Sequence, residues 1–254
     1  MNTVAIIQAR MGSTRLPGKV LKPILGQPML AREVARVARA KLVDQIVIAT
    51  STNPADSSIA ALADALGLAC YRGSEIDVLD RFYQTAQKFS ADPIIRLTSD
   101  CPLIDPQIID QTVSVFTSSS ADYVSNHHLR SFPVGMDVEV VKFRALELAW
   151  RQADSAYDRE HATAYVYNPA HHFRLKGIVA PAQLRRPKLR LTVDELADLK
   201  LVRRIYQLLY PSKPDFTLKD ILNLLDANPN LVKINLPVIQ KPAKYYKALL
   251  LPGH

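Results

Sequence analysis

The first half of the chain repeats one pattern. A short apolar run is followed by a longer stretch in which apolar residues return every three or four positions. TVAIIQ (3–8) reads as a buried strand, and MLAREVARVARAK (29–41), opened by Pro28, as a helix. QIVIATS (45–51) predicts a second strand, and ADSSIAALADALG (55–67) a helix stopped by Gly67. LACYRG (68–73) is a short third strand, and DVLDRFYQTAQKF (77–89) a helix with Asp77 at its start. PIIRLTS (93–99) is a fourth strand, and Asp105 caps a helix that Pro106 opens. Strands alternating with helices imply a mostly parallel sheet flanked by helices, the α/β class. Ligands of such sheets bind at the carboxyl ends of the strands.

The second half loses this rhythm. DYVSNHHLRSFPVGMDVEVVK (122–142) reads as strand, loop and strand. ALELAWRQ (145–152) and DREHATAYVYN (158–168) read as helical, HHFRLKGIV (171–179) as strand, and KLRLTVD (188–194) as a short strand ending at Asp194. Two helices follow, at 196–210 and 218–228. No internal repeat is visible, so the expectation is a single domain over 1–254 with a small subdomain at about 123–179 inserted over the sheet edge.

Composition narrows the function classes. The chain has 254 residues, 48% of them hydrophobic and 22% charged, which suits a packed core rather than disorder. No run approaches the ~18 apolar residues of a membrane span, and the start lacks the pattern of a secretory signal. Two cysteines, Cys70 and Cys101, are too few for a disulfide framework, and a reducing cytoplasm is the expected home. Cys101 reads as a small buried residue, not a nucleophile. The net charge of +8 suits either nucleic acid or small anionic substrates. The position of the charge favours small anions. Arg10, Arg15, Lys19 and Lys22 share one loop, whereas 184–190 and the tail 233–247 read as solvated faces. Aromatics do not interleave with the basic residues, as they do in stacking nucleic-acid binders.

That loop, GSTRLPGK (12–19), approaches a P-loop but is not one. Five residues separate Gly12 from Gly18, and Val20 stands where the magnesium-binding hydroxyl would be. Of eight glycines in the chain, three fall by Gly26, which favours a backbone able to approach a phosphate. Arg15 and Lys19 supply charge for it.

IIQARMGSTRLPGKVLKPILGQPML (6–30) resembles the N-terminal signature of the cytidylyltransferases that make CMP-activated acid sugars. RGSEIDVLDRF (72–82), RLTSDCPLIDP (96–106), PVGMDVEVVKFRALELAW (133–150), DREHATAYVYN and LRLTVDELADLKLVRRIY (189–206) extend the resemblance to about Tyr210. It is nearest the SpsF-like branch of spore-coat-polysaccharide biosynthesis, related to the acylneuraminate and 3-deoxy-manno-octulosonate cytidylyltransferases. The resemblance implies a Rossmann-like, glycosyltransferase-A-type nucleotidyltransferase fold. It implies an enzyme that joins CTP to an acidic acceptor, releases pyrophosphate and serves cell-surface polysaccharide synthesis. Carried over by position, Ala9, Arg10, Gly12, Ser13, Arg15 and Lys19 bind the nucleotide, with Arg15, Lys19 and Asp100 catalytic. Asp100 and Asp194 would hold Mg²⁺, which takes one or two carboxylates with phosphate and water. Each aspartate taken alone also reads as a helix or turn cap.

Arg72 and Asp77 follow the third strand and are placed beside the nucleobase or ribose. Asp137 and Glu139 alternate, which puts both on one face of a strand, where they bind metal or acceptor hydroxyls or merely face solvent. Gly135 favours close backbone approach to a ligand. Glu160 and His161 match the branch's segment near the acceptor, and His161 and Tyr165 would share a helix face. The histidine pairs 127–128 and 171–172 lack zinc-site spacing. The related enzymes commonly dimerise through the inserted segment, so a homodimer is expected. The alternatives are a sugar-1-phosphate nucleotidyltransferase using another nucleotide and a nucleic-acid or anionic-polymer binding module.

Overall fold

A computed structural model describes residues 1–240. The chain runs β1 (Val4–Gln8), a small hairpin of β2 (Pro23–Ile24) and β3 (Gln27–Pro28), α1 (Met29–Val37), β4 (Gln45–Ser51), α2 (Ser57–Ala65), β5 (Ala69–Gly73), α3 (Val78–Lys88), β6 (Ile94–Thr98) and α4 (Pro106–Thr117). Then come β7 (Tyr123–Ser125), β8 (Glu139–Val141), α5 (Phe143–Gln152), α6 (Ala156–Glu160), α7 (Ala164–Tyr167), β9 (Leu175–Gly177), α8 (Leu196–Leu209) and α9 (Leu218–Ala227).

Seven strands form one sheet in the order β5-β4-β1-β6-β8-β7-β9. β5, β4, β1 and β6 are parallel, β8 runs antiparallel to both its neighbours, and β9 is parallel to β7. This is the mostly parallel, helix-flanked α/β sheet that the alternating pattern predicts. Residues 123–179 contribute three of its strands.

Period-two alternation explains why β1 is apolar throughout. Ala5 and Ile7 enter one core cluster with α1, α4, α8 and α9; Val4 and Ile6 enter the other with α3 and α5. Both faces of β1 are therefore closed, and only its carboxyl end is free to serve a ligand. Asp77 and Asp105 accept N–H bonds at the starts of α3 and α4, as N-caps do.

Four expectations are corrected. The segment 188–194 is not a sheet strand. It makes one bridge, Arg190 to Val134, and its backbone is tied to loops: Leu191 N–H to the Val134 carbonyl and Val193 N–H to that of Asp100. Gly135, at φ 99°, serves this contact rather than a ligand, since a Cβ there would stand 2.5 Å from the Thr192 nitrogen. The stretch 184–190 is not wholly a solvated face, because Arg190 is buried. Nor is the tail, as far as it is described. Asn235 is buried and donates to Asp198 at 2.8 Å and to the Arg190 carbonyl at 3.1 Å. Residues 241–247 of that tail lie outside the described residues.

Candidate active site

The carboxyl end of β1 opens into a cleft of about 370 Å³, lined by Ala9, Arg10, Gly12, Ser13, Arg15, Lys19, Asp100, Glu160, His161 and Asp194, with Thr98 and Arg81. The loop's shape comes from two anchors. Asp56, buried before α2, accepts the Met11 N–H at 2.7 Å. The Met11 carbonyl then takes the N–H groups of Ser13 and Gly18. Gly18 lies in the left-handed region at φ 65°, which turns the chain into one 3₁₀ turn beginning at Lys19.

Lys19 Nζ sits among three oxygens: Asp100 Oδ2 at 3.0 Å, Asp194 Oδ1 at 2.9 Å and the Val193 carbonyl at 2.7 Å. Asp194 also meets Arg15 at 2.9 Å and Arg190 at 2.6 Å. Burial opposes ionisation of Asp194, but Lys19, Arg190 and Arg15 outweigh it and bring the carboxyl to about 2. Burial likewise opposes the charge on Lys19, and Asp100 and Asp194 outweigh it, so its pKa is raised. Neither aspartate is a helix cap. Asp105 caps α4, and Glu195 caps α8 through a box closed by Asp198. Asp198 is fully buried and fixes the Asp194 turn by accepting the N–H groups of Asp194 and Glu195, both at 3.0 Å, and the Arg190 guanidinium. Behind Asp100, the Cys101 N–H donates to buried Glu33 at 3.1 Å; burial, then the Asp100 charge, pushes the Glu33 carboxyl well up. Cys101 is buried as expected, and burial pushes its thiol well up.

A second cavity, about 780 Å³, adjoins the first; Thr98 and His161 line both. Its charged lining includes Arg96, Arg130, Lys188, Arg190, Asp137 and Glu139. Asp137 is not on a strand with Glu139, because β8 begins only at Glu139; it pairs bidentately with Arg130. Glu139 is buried, and its oxygens are engaged by Arg96, His127 (3.1 Å) and Thr163. Burial works against its charge, yet Arg96, His127 and Thr163 hold its carboxyl well below the usual range. His161 ends α6, and its ring meets Tyr157, 4.3 Å away, not Tyr165, which lies in the next helix. Burial, stronger than the pull of Glu160, lowers its pKa.

Two sequence-placed residues do not reach the cleft. Arg72 donates to the Ser51 and Asn53 carbonyls at 3.0 Å each. Asp77 caps α3 and is paired with Arg159. Their side chains are consumed in holding β4, β5, α3 and α6 together. Conversely, Glu33, Asp56, Arg81, Arg96, Arg190 and Asp198 escaped sequence reasoning. For Glu33 and Arg81 the signal was available: each is a charge set within the apolar stripe of its helix.

The fit of a divalent cation is testable on this geometry. Two carboxylates and a carbonyl already converge on one positive centre, the Lys19 ammonium, and all are hard oxygen donors. No cluster of three or more His, Cys, Asp or Glu ligands occurs among the described residues. Such a set suits magnesium completed by phosphate and water, and not a protein-enclosed zinc site.

Comparison with known proteins gives the family. Residues 4–214 match the family model described as cytidylyltransferase. The spore coat polysaccharide biosynthesis protein SpsF of Bacillus subtilis is 36% identical over 230 residues, 89% of this chain and 94% of that protein. The structure of a cytidylyltransferase from Leptospira borgpetersenii superposes with a TM-score of 0.86 at 28% identity, covering 96% of this chain and 100% of that one. CMP:2-keto-3-deoxy-manno-octonic acid synthetase, solved in complex with CTP, shares the fold at a TM-score of 0.61 and 19% identity, covering 82% of this chain and 99% of that one.

Proposed function

The chain belongs to the cytidylyltransferase family, and from that premise we propose that it transfers CMP from CTP to an acidic sugar or similar acid. The observation that carries this reading is Lys19, held between Asp100 and Asp194 at the end of a basic, glycine-bearing loop. The acceptor hydroxyl oxygen bonds to the α-phosphorus while its proton passes to solvent. The bond from the α-phosphorus to the oxygen bridging to the β-phosphate breaks, and pyrophosphate leaves with that oxygen. Ala9, Gly12 and Ser13 bring backbone close to the phosphates, and Arg10, Arg15 and Lys19 offset their charge. Asp100 and Asp194 would hold Mg²⁺, which when bound supplies charge neutralisation at the reacting phosphate.

The second cavity, sharing Thr98 and His161 with the first, receives the acceptor. Asp137, Glu160 and His161 face it or its junction with the first cleft. Glu139 acts from behind by orienting Arg96 and His127. No described helix is long and apolar enough to cross a membrane. On this reading the enzyme works in the cytoplasm, acting on polysaccharide precursors. A homodimer formed through residues 123–179 completes the proposal.

The test is pyrophosphate release with each of the four nucleoside triphosphates across a panel of acidic sugars that includes 3-deoxy-manno-octulosonate. CTP is expected to be preferred. Release with UTP and a sugar 1-phosphate alone would move the assignment to the sugar-1-phosphate class. No release with any nucleotide, together with no CTP binding, sinks the proposal.

A further inference from the structure

Four cations line the nucleotide cleft, and they are not equivalent. Lys19 and Arg15 are already paired with Asp100, Asp194 and Glu195. Arg10 and Arg81 make no ion pair with a carboxylate among the described residues. Arg10 is exposed, so water serves it. Arg81 is different. Its residue is 2% exposed, yet it lines the cleft. Nη1 donates to the Ser74 carbonyl, with the Glu75 carbonyl a distant second at 3.5 Å. Nε is buried with no hydrogen-bond partner.

A buried guanidinium with an unused donor and no carboxylate in contact is among the more expensive arrangements a fold can carry. Burial lowers the Arg81 pKa, and the neighbouring Arg10 charge lowers it further; Asp56, Glu75 and Asp77 only partly offset them. Two guanidinium groups thus lie near each other at the cleft, neither with a carboxylate in ion-pair contact among the described residues. The aliphatic part of Arg81 packs with the Tyr71 ring beside Gly73, which leaves the guanidinium at the cleft.

We propose that Arg81, together with Arg10, forms an anion subsite that takes the terminal phosphates of the nucleotide and the pyrophosphate that leaves. This rests on the nucleotide reading of the cleft and deepens it. The cleft is divided in two. One side carries carboxylates with their cations, at Asp100 and Asp194; the other carries unneutralised guanidinium groups that bind oxygens of a di- or triphosphate.

The experiment titrates wild type, Arg81→Gln, Arg81→Lys and Arg10→Ala with inorganic pyrophosphate and, separately, with CMP, while circular dichroism follows the fold. Pyrophosphate affinity falls about tenfold or more in Arg81→Gln, as for loss of a charge-assisted contact, and recovers in part in Arg81→Lys. CMP affinity stays near wild type. A folded Arg81→Gln that binds pyrophosphate as wild type does, or that loses CMP and pyrophosphate alike, overturns the subsite. Because replacing a buried charge endangers the fold, the wild-type Arg81 Nε–H resonance gives a second readout. It moves on addition of pyrophosphate and not of CMP; a resonance indifferent to pyrophosphate overturns the proposal. Wild type that binds neither CTP nor pyrophosphate defeats the nucleotide reading and the subsite together. CTP turnover with an indifferent Arg81→Gln defeats the subsite alone.

Discussion

Two knots of charge lie in adjoining cavities and are built oppositely. Around Lys19, two aspartates share one ammonium, and the side chains of Asp100 and Asp194 are 25% and 19% exposed. Around Glu139, one carboxylate is shared by Arg96, His127 and Thr163, and its side chain is only 5% exposed. In the first knot a cation stands among oxygens that a phosphate-bound metal would also want. Its partners can be exchanged, because water and ligand reach them. In the second, both oxygens of the carboxylate already accept a hydrogen bond or ion pair, and Arg96 and His127 line the cavity beside it. Charge beside a cleft therefore has two uses, chemistry and scaffolding, and accessible, exchangeable partners distinguish them.

The sharpest attempt to break this contrast is Lys19→Ala. It leaves Asp100 and Asp194 facing each other and removes positive charge from the phosphate end. Turnover, measured as pyrophosphate release, is expected to fall about 10²–10³-fold, the scale of losing one preorganised electrostatic donor. The melting temperature should change little, since both carboxylates keep access to water and Asp194 keeps Arg15 and Arg190. A variant that unfolds but turns over normally per folded molecule would make the Lys19 knot a scaffold after all.

Glu139→Ala is the mirror experiment. It removes the carboxylate partner of the largely buried Arg96 guanidinium, which keeps Gln8 at 3.2 Å, and leaves Thr163 without its acceptor. The cost is on the order of 3–5 kcal/mol of stability, as for breaking one side of a buried ion pair. Denaturant unfolding measures it. CTP affinity of whatever remains folded should hold, because Glu139 lines the second cavity and not the first. Unchanged stability would remove Glu139 from the scaffold and return it to acceptor binding.

The sequence shows the two knots unequally. The phosphate loop is legible because its glycines and cations are contiguous and follow a strand whose alternation is clean. β4, QIVIATS, has the bounds its pattern predicts. Asp100 is legible from its place just past β6. The Glu139 knot is not, because its partners come from three separate segments. Pairing of β6 with β8 sets Arg96 opposite Glu139, pairing of β7 with β8 brings in the chain leading to His127, and Thr163 stands just before α7. β7, β8 and β9 have three residues each, too few for a period of two to speak. His161 and Tyr165 look adjacent on one helix until the chain breaks between α6 and α7. Arg72 and Asp77 stand at a strand end, where ligands bind, but backbone carbonyls and Arg159 take them first. Arg81 and Glu33 carry a signal of another kind, a charge on the apolar face of a helix, which marks a group held for a reason other than packing.

Acid tests the same contrast with the smallest expected effect. Arg96, His127 and Thr163 hold the Glu139 carboxyl below its ordinary 4.5 in the folded protein, whereas in the unfolded chain it titrates near that value. A depressed native pKa contributes stability above the unfolded pKa and loses it as pH falls toward the native one. Wild type should therefore lose melting temperature as pH is lowered below about 4.5, because the unfolded chain takes up a proton that the Glu139 knot refuses. Glu139→Gln keeps the shape, removes the titration and should flatten that part of the slope, starting from a less stable protein. A slope that Glu139→Gln leaves unchanged would mean that the buried knot stores no such coupling, and its reading as fixed, scaffolding charge would fail.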